Sequence, residues 1–306
     1  MTVPNVSNPT HSVATTSQVR LPRTAALGPG VGGQPRLLID APAGAAEIYL
    51  HGATVTSWVP RGGSEVIFTS RQAVFDGTTA IRGGIPLCLP EFGVGINGDA
   101  VPKHGWARIA PWQLRTVTST DDGGVRALLS VSRDRLTALY EVEVGETLRV
   151  GLSLRNEGTE PRTVEAAAHT YLLVQDVTAS LISGLDGASY SDSDNLARTP
   201  KESRCVQTGD VKISGPVDRI YDSAAPVTVT DPGHQRTIHI DKRNAPSTIV
   251  WNPWSTYSVP MPDMADDEFP TMVCVEAGAV REHAPTIEPG ASWSMQVTLS
   301  VENSGM

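Results

Sequence analysis

Tyr140-Glu141-Val142-Glu143-Val144-Gly145-Glu146-Thr147-Leu148-Arg149-Val150 alternates apolar with polar side chains on both sides of a Gly-Glu pair. A period of two sends successive side chains to opposite faces, so each half reads as a strand with its apolar residues on one side. Together they predict an antiparallel hairpin, and glycine at the first central position favours a two-residue type II′ turn. The same period recurs at Val125, Ala127, Leu129 and Val131, continues through Leu152 and Leu154, and returns at Trp293, Met295, Val297, Leu299 and Val301. A second hairpin is predicted where Val227-Thr228-Val229-Thr230 meets Thr237-Ile238-His239-Ile240 across a loop opening with Asp231-Pro232-Gly233. No long window carries the i, i+3, i+4, i+7 apolar stripe of a helix, and 28 glycines with 23 prolines interrupt nearly every run. These signals predict an all-β protein, a large antiparallel β-sandwich, and argue against an α/β nucleotide-binding domain.

The 306-residue chain shows no internal repeat and no linker after its first segment, which predicts one domain over residues 35–306. Residues 1–34 are rich in Ser, Thr, Pro, Asn and Gly and lack the apolar centre of a signal peptide, so they are expected to form a disordered tail. No apolar run approaches the roughly 18 residues that a membrane-spanning helix needs. A formal net charge of -9 repels nucleic acid and anionic membrane surfaces at long range, so an anionic ligand would need a local cluster of arginines. Cys88, Cys205 and Cys274 are widely spaced without a CxxC pair, which indicates neither a disulfide framework nor a zinc knuckle and fits a reducing cytoplasmic setting.

Four segments place polar chemistry in apolar or glycine-rich context, where an unpaired polar group is costly. Ala80-Ile81-Arg82-Gly83-Gly84-Ile85-Pro86-Leu87 follows a guanidinium with two glycines that would let backbone approach a ligand; a turn with a solvated arginine is the alternative. Pro102-Lys103-His104-Gly105-Trp106-Ala107-Arg108 sets a histidine beside an aromatic on which a sugar could stack. Glu165-Ala166-Ala167-Ala168-His169-Thr170-Tyr171-Leu172 leads small residues into a histidine able to move protons near neutral pH, or satisfied by a backbone carbonyl. Met272-Val273-Cys274-Val275-Glu276-Ala277 puts an acid at the end of an apolar strand, where burial would raise its pKa toward the range of a general base. Val217-Asp218-Arg219-Ile220-Tyr221 adds paired charges that suit either a site or a surface ion pair.

This order of Arg, His, His, Asp and Glu across an all-β chain resembles the aldose 1-epimerase superfamily, and within it the hexose-6-phosphate mutarotase branch. The resemblance covers about residues 45 to 300. It is carried also by His51-Gly52-Ala53-Thr54, Phe75-Asp76-Gly77, Gly184-Leu185-Asp186-Gly187 and Val250-Trp251-Asn252-Pro253-Trp254. It implies a galactose mutarotase-like supersandwich with the sugar site in a cleft on one sheet. It implies further that the enzyme interconverts the α and β anomers of an aldohexose 6-phosphate such as glucose 6-phosphate. Glu276 would be the base and His169 the acid, His104 and Arg82 would bind the ring oxygen or neighbouring hydroxyls, and Asp218 would orient other hydroxyls. Trp106, Arg108 and Arg71 are expected to line the substrate, with Lys103 and Arg219 as further cationic candidates. The chemistry calls for no metal and no organic cofactor, and no compact His/carboxylate ligand set shows in the sequence. The competing readings are an aldose 1-epimerase of free hexoses, a non-catalytic carbohydrate-binding sandwich, and a glycoside hydrolase using Asp218 and Glu276.

Overall fold

The structure is a computed structural model that describes residues 19–192 and 204–304. Two eight-stranded sheets and a four-stranded sheet carry the fold, and the helices among the described residues are single turns such as Trp254–Ser258. One eight-stranded sheet, the back sheet, runs in the order Leu181–Ser183, Val227–Asp231, Arg236–Arg243, Ser292–Asn303, Leu148–Asn156, Leu136–Val144, Val125–Arg133 and Gln113–Ser119. All its pairings are antiparallel. Every period-two run read from the sequence lies here, with Val142, Val150, Leu154, Val297 and Leu299 buried in one apolar core.

The hairpin that opens this reading forms with a different turn. Val144 pairs with Leu148 and Val142 with Val150, so the connection is the three residues Gly145-Glu146-Thr147. The hydrophobic pattern decides this. A two-residue turn would shift the register by one and set Tyr140, Val142 and Val144 against the polar face of the next strand. The Gly145 carbonyl also accepts a hydrogen bond from the buried Trp58 indole at 3.2 Å, which ties the turn to the four-stranded sheet. The Val227–Asp231 and Arg236–Arg243 hairpin forms with the longer loop its sequence indicates.

The second eight-stranded sheet, the site sheet, orders Cys205–Val206, Ser189–Asp192, Val217–Asp222, Ser247–Asn252, Met272–Ala279, Ala166–Ala168 and Leu87–Cys88, with Tyr171–Leu173 also paired to Met272–Ala279. Val250, Val273, Val275 and Ala277 from one face of this sheet join the same core as the back sheet. On its other face, here the cleft face, Cys88, Ala167, Ile220 and Ile249 form a small separate cluster. Met272–Ala279 is buried on both faces along its whole length. That is why its sequence shows no alternation, and why Glu276 stands in mid-strand and not at a strand end.

The boundary expected at residue 34 lies too late. Ala25–Pro29 forms a strand paired with Pro35–Ala41, and Val19, Leu21 and Ala25 pack against the core. The first eighteen residues lie outside the described set. No helix of the described residues is long and apolar enough to cross a membrane.

Alternation along Leu136–Val144 and Leu148–Asn156 sets the expected cost of substitution. Leu154 is fully buried whereas Leu139, on the opposite face, is 40% exposed. Leu154→Ala is expected to destabilise by about 2–5 kcal/mol in urea denaturation and Leu139→Ala by less than about 1 kcal/mol. Equal losses would contradict the register.

Candidate active site

Strand register builds the cleft face from residues far apart in sequence. Ala168 lies opposite Ala277 and Tyr171 opposite Cys274, so His169, in the short break between the two strands, falls opposite Glu276. Directly opposed residues point to the same face. Asp218 is opposite Trp251, Trp251 opposite Cys274, and Cys274 opposite Tyr171, which makes one row across four strands of the cleft face. His169 is also fixed through its main chain, whose N–H donates to the Pro86 carbonyl at 2.9 Å.

His169 Nε2 stands 3.4 Å from Glu276 Oε1, with both side chains buried. The other polar atom of each, His169 Nδ1 and Glu276 Oε2, is buried without a hydrogen-bond partner among the described residues. Burial, and then the nearby Asp218 carboxylate, raise the Glu276 carboxyl well above the ordinary range, against an opposing pull from Arg108. Burial, followed by the charges of His104, Arg108 and Arg82, lowers the His169 imidazolium well below its ordinary value. An acid that resists ionising thus faces a base that resists protonation.

Aromatic rings hold this pair in place. Tyr171 stacks on His169 at 4.8 Å with 13° between planes, and the Trp251 ring meets both edge-on at 6.0 and 5.9 Å. Tyr171 Oη accepts a hydrogen bond from Arg82 Nη1 at 3.1 Å, while Arg82 Nη2 pairs with Asp263 Oδ2 at 3.2 Å. Arg82 therefore enters the site already held by a phenol and a carboxylate. The two glycines after it serve packing and not ligand approach. A Cβ at Gly83 would meet Thr69 Cα at 2.5 Å, and one at Gly84 would meet the Val55 carbonyl oxygen at 2.5 Å.

His104 adopts the left-handed φ of 64°, which is uncommon outside glycine, and Gly105 follows at 69°, where a Cβ would meet the Leu89 carbonyl oxygen at 2.2 Å. This forced turn brings the His104 ring within 5.9 Å of the His169 ring. Burial, then Arg108, depress the His104 imidazolium to about 3. Arg108 donates to the Lys103 carbonyl at 3.1 Å, and its charge acts on His104, His169 and Glu276.

Two expected members lie elsewhere. Trp106 is in the sandwich core, 5% exposed, with the Arg133 guanidinium 5.7 Å over its ring, so it offers no open face to a sugar. The indole at the cleft is Trp251. Arg71 is spent on the loop opposite, pairing with Asp267 at 2.5 Å and Glu268 at 3.5 Å. The weaker candidate Arg219 alternates with Asp218 to the other side of the strand, where it pairs with Asp192 at 3.2 Å and covers the Tyr190 ring. Sequence reading missed Asp263 and Glu268. Glu268 accepts from Ser70 Oγ at 2.6 Å and from the Arg71 and Ala265 amides at 2.8 and 2.9 Å, so it ties the segment before Arg82 to the loop that carries Asp263. Only the acidic run Asp266-Asp267-Glu268 hinted at it.

Polar atoms of His169, Cys274 and Glu276 lie within 4.8 Å of one another, a compact set that the sequence spacing did not show. The charges of Arg82 and Arg108 beside it oppose a cation. A second set, Asp222, Glu282 and His283, is an ion-pair network in which Arg204 bridges both acids.

Residues 35–300 match the family described as Aldose 1-epimerase. The chain belongs to the aldose 1-epimerase family. It is an isomerase of that family, and sugar anomers are what it interconverts. A protein of Cenchrus ciliaris, named "Putative glucose-6-phosphate 1-epimerase", is 34% identical over 83% of this chain and 80% of its own length. One from Escherichia coli with the same name is 31% identical over 80% of this chain and 83% of its own length. Among solved structures, that of "a putative mutarotase (YeaD)" from Salmonella typhimurium superposes with a TM-score of 0.83 at 27% identity, covering 94% of this chain and 96% of the other. A galactose mutarotase-like protein from Clostridium acetobutylicum shares the fold at TM-score 0.71 and 13% identity, covering 91% and 98%. In this epimerase the fold and the buried acid arise from the same sheet.

A raised Glu276 pKa carries a stability cost of definite sign. Ionising the carboxyl is harder in the folded than in the unfolded chain, so its contribution is fully present below about pH 4, the ordinary unfolded value, and is lost as pH rises toward the folded value. Glu276→Gln is therefore expected to match wild type in acid and to become progressively more stable than wild type toward alkaline pH. Thermal denaturation of both proteins between pH 4 and 9 checks this, and parallel curves would show an unperturbed carboxyl.

Proposed function

We propose that the enzyme is a mutarotase of an aldohexose 6-phosphate and that Glu276 and His169 move its protons. The observation that carries this reading is the buried pair at 3.4 Å, each partner with one polar atom left free to meet a substrate. Anomer exchange needs the ring opened, rotation about the bond between the first two carbons, and closure on the other carbonyl face. With one proton shared by the pair, Glu276 as carboxylate takes the proton of the anomeric hydroxyl while His169 as imidazolium gives one to the ring oxygen. The ring bond breaks, the aldehyde forms, and the pair is left as carboxylic acid and neutral imidazole. Closure returns both protons. The directions of the two pKa shifts favour the second protonation pattern, so the carboxylate–imidazolium pattern that starts the opening step is the less populated one and relaxes to the neutral pair as the ring opens.

His104 donates to the ring oxygen or a hydroxyl, Arg82 binds neighbouring oxygens, Asp218 orients other hydroxyls, and Trp251 in place of Trp106 offers the aromatic wall. The phosphate is supported by the names of the Cenchrus ciliaris and Escherichia coli relatives, and by the cations Arg82 and Arg108 that act at the cleft of a chain with net charge -9. Lys103, next to His104 in sequence, and Arg108, which donates to the Lys103 carbonyl, are the further cations that would add to it. The Arg82–Asp263 pair favours the second reading, a free-sugar aldose 1-epimerase, because a carboxylate already offsets that guanidinium.

Glu276→Gln and His169→Asn keep approximate shape and remove proton transfer, so each is expected to lower catalysed anomer exchange by about 10²- to 10⁴-fold with the fold intact. Exchange spectroscopy by NMR and circular dichroism check the two halves of that statement. Near-normal turnover in either folded variant removes that residue from the mechanism.

Substrate choice is read by comparing kcat/KM on glucose 6-phosphate and on glucose at low and raised salt. The phosphorylated sugar is expected to be preferred at least about tenfold, with the preference narrowing as salt screens the cations. Equal turnover of both sugars would replace the phosphate reading by the free-sugar one.

A further inference from the structure

His104 Nδ1 lies 3.2 Å from the Gly93 amide nitrogen and 3.2 Å from Cys88 Sγ. A main-chain N–H can only donate, so Nδ1 accepts and the proton of the neutral ring sits on Nε2. Turning the ring over would put a carbon against two donors, and leaving buried donors unmade is costly. Cys88 is fully buried in the strand Leu87–Cys88, opposite Ala167 and so on the cleft face. Burial pushes its thiol up, which keeps it an S–H donor. Phe92 meets the His104 ring edge-on at 5.1 Å, and the His104 amide donates to the Gly93 carbonyl at 2.7 Å, so ring and donors move as one unit.

We propose that Cys88 and the Gly93 amide lock His104 in the Nε2–H tautomer, making His104 a fixed neutral donor to a sugar oxygen and Cys88 its positioning residue. This rests on the reading of the cleft as an anomer-exchange site and deepens it. The protons then move only between Glu276, His169 and the sugar, while His104 donates a hydrogen bond without exchanging its proton. A histidine free to switch tautomer would in its Nδ1–H form present a lone pair to the same oxygen and bind the sugar out of register. No charge on His104 is needed, which suits a site that already holds Arg82 and Arg108.

The test uses the full chain labelled with ¹⁵N-histidine and long-range ¹H–¹⁵N correlation spectra, together with Cys88→Ser and Cys88→Ala. In wild type the His104 resonances are expected to show a protonated Nε2 and an unprotonated, hydrogen-bonded Nδ1, unchanged from pH 5 to 9. Cys88→Ala is expected to shift the Nδ1 resonance and lower kcat about tenfold with KM changed less than about threefold, the size of one neutral hydrogen bond. Cys88→Ser, which restores a donor, is expected to recover most of kcat and the Nδ1 signature. A protonated Nδ1 in wild type overturns the proposal whatever the variants do. So does a loss in the alanine variant that serine fails to recover, which would mark Cys88 as packing alone. Wild-type protein with the expected tautomer but no anomer exchange would instead overturn the mutarotase reading and leave the lock standing.

Discussion

The strand Met272–Ala279 is buried on both faces, and the rest of the molecule depends on that constraint. Its inward face, Val273, Val275 and Ala277, is part of the sandwich core. Its cleft face must then carry small or paired groups, and Cys274, Glu276 and Gly278 occupy it. A carboxyl in such a strand cannot reach water, so its chemistry is set by what the neighbouring strand places opposite. That neighbour breaks its pairing at His169 and Thr170, and the break lets a histidine turn its ring toward the acid. The sheet that supplies stability thus also supplies the low-dielectric surroundings in which the acid and base differ from their behaviour in water.

Around that pair the protein divides its polar groups between holding and acting. Tyr171 and Trp251 fix the His169 ring by stacking and edge contact. Arg82 is fixed by Tyr171 and Asp263, and Asp263 belongs to a loop that Glu268 anchors to the segment around Ser70. Such groups, oriented before a ligand arrives, need little rearrangement when charge develops on it. His169 Nδ1, Glu276 Oε2 and Arg82 Nε are buried at this site without a hydrogen-bond partner among the described residues.

Much of this was legible in the residues, and the failures are instructive. The period-two runs located the back sheet because one of its faces is solvated, so polarity marks the faces. The same rule failed for Met272–Ala279, where both faces are buried and Glu276 reads as a strand end. The Gly145 turn was misassigned because local turn preference competed with the register of a nine-residue hydrophobic pattern, and the pattern won. Trp106 was expected at the substrate because a histidine and glycine precede it; the left-handed turn at His104 and Gly105 sends the imidazole to the cleft and the indole into the core. Arg71 and Arg219 read as candidate cations because they lie in or beside the motifs, and in space each is paired with an acid remote in sequence, Asp267 and Asp192.

By itself, then, the sequence determined an all-β sandwich and a short set of residues, His104, His169, Asp218, Glu276 and Arg82, that break apolar or glycine-rich context. Those are local properties: alternation, turn chemistry, and the cost of a polar group among apolar neighbours. Only the tertiary structure decided that His169 stands opposite Glu276, that Trp251 and not Trp106 walls the cleft, that Asp263 offsets Arg82, and that Cys88 and Gly93 meet one nitrogen of His104. Each of these joins strands or loops remote along the chain. Burial, pairing and protonation follow from which groups come together in space, a matter of register and packing that no single segment encodes.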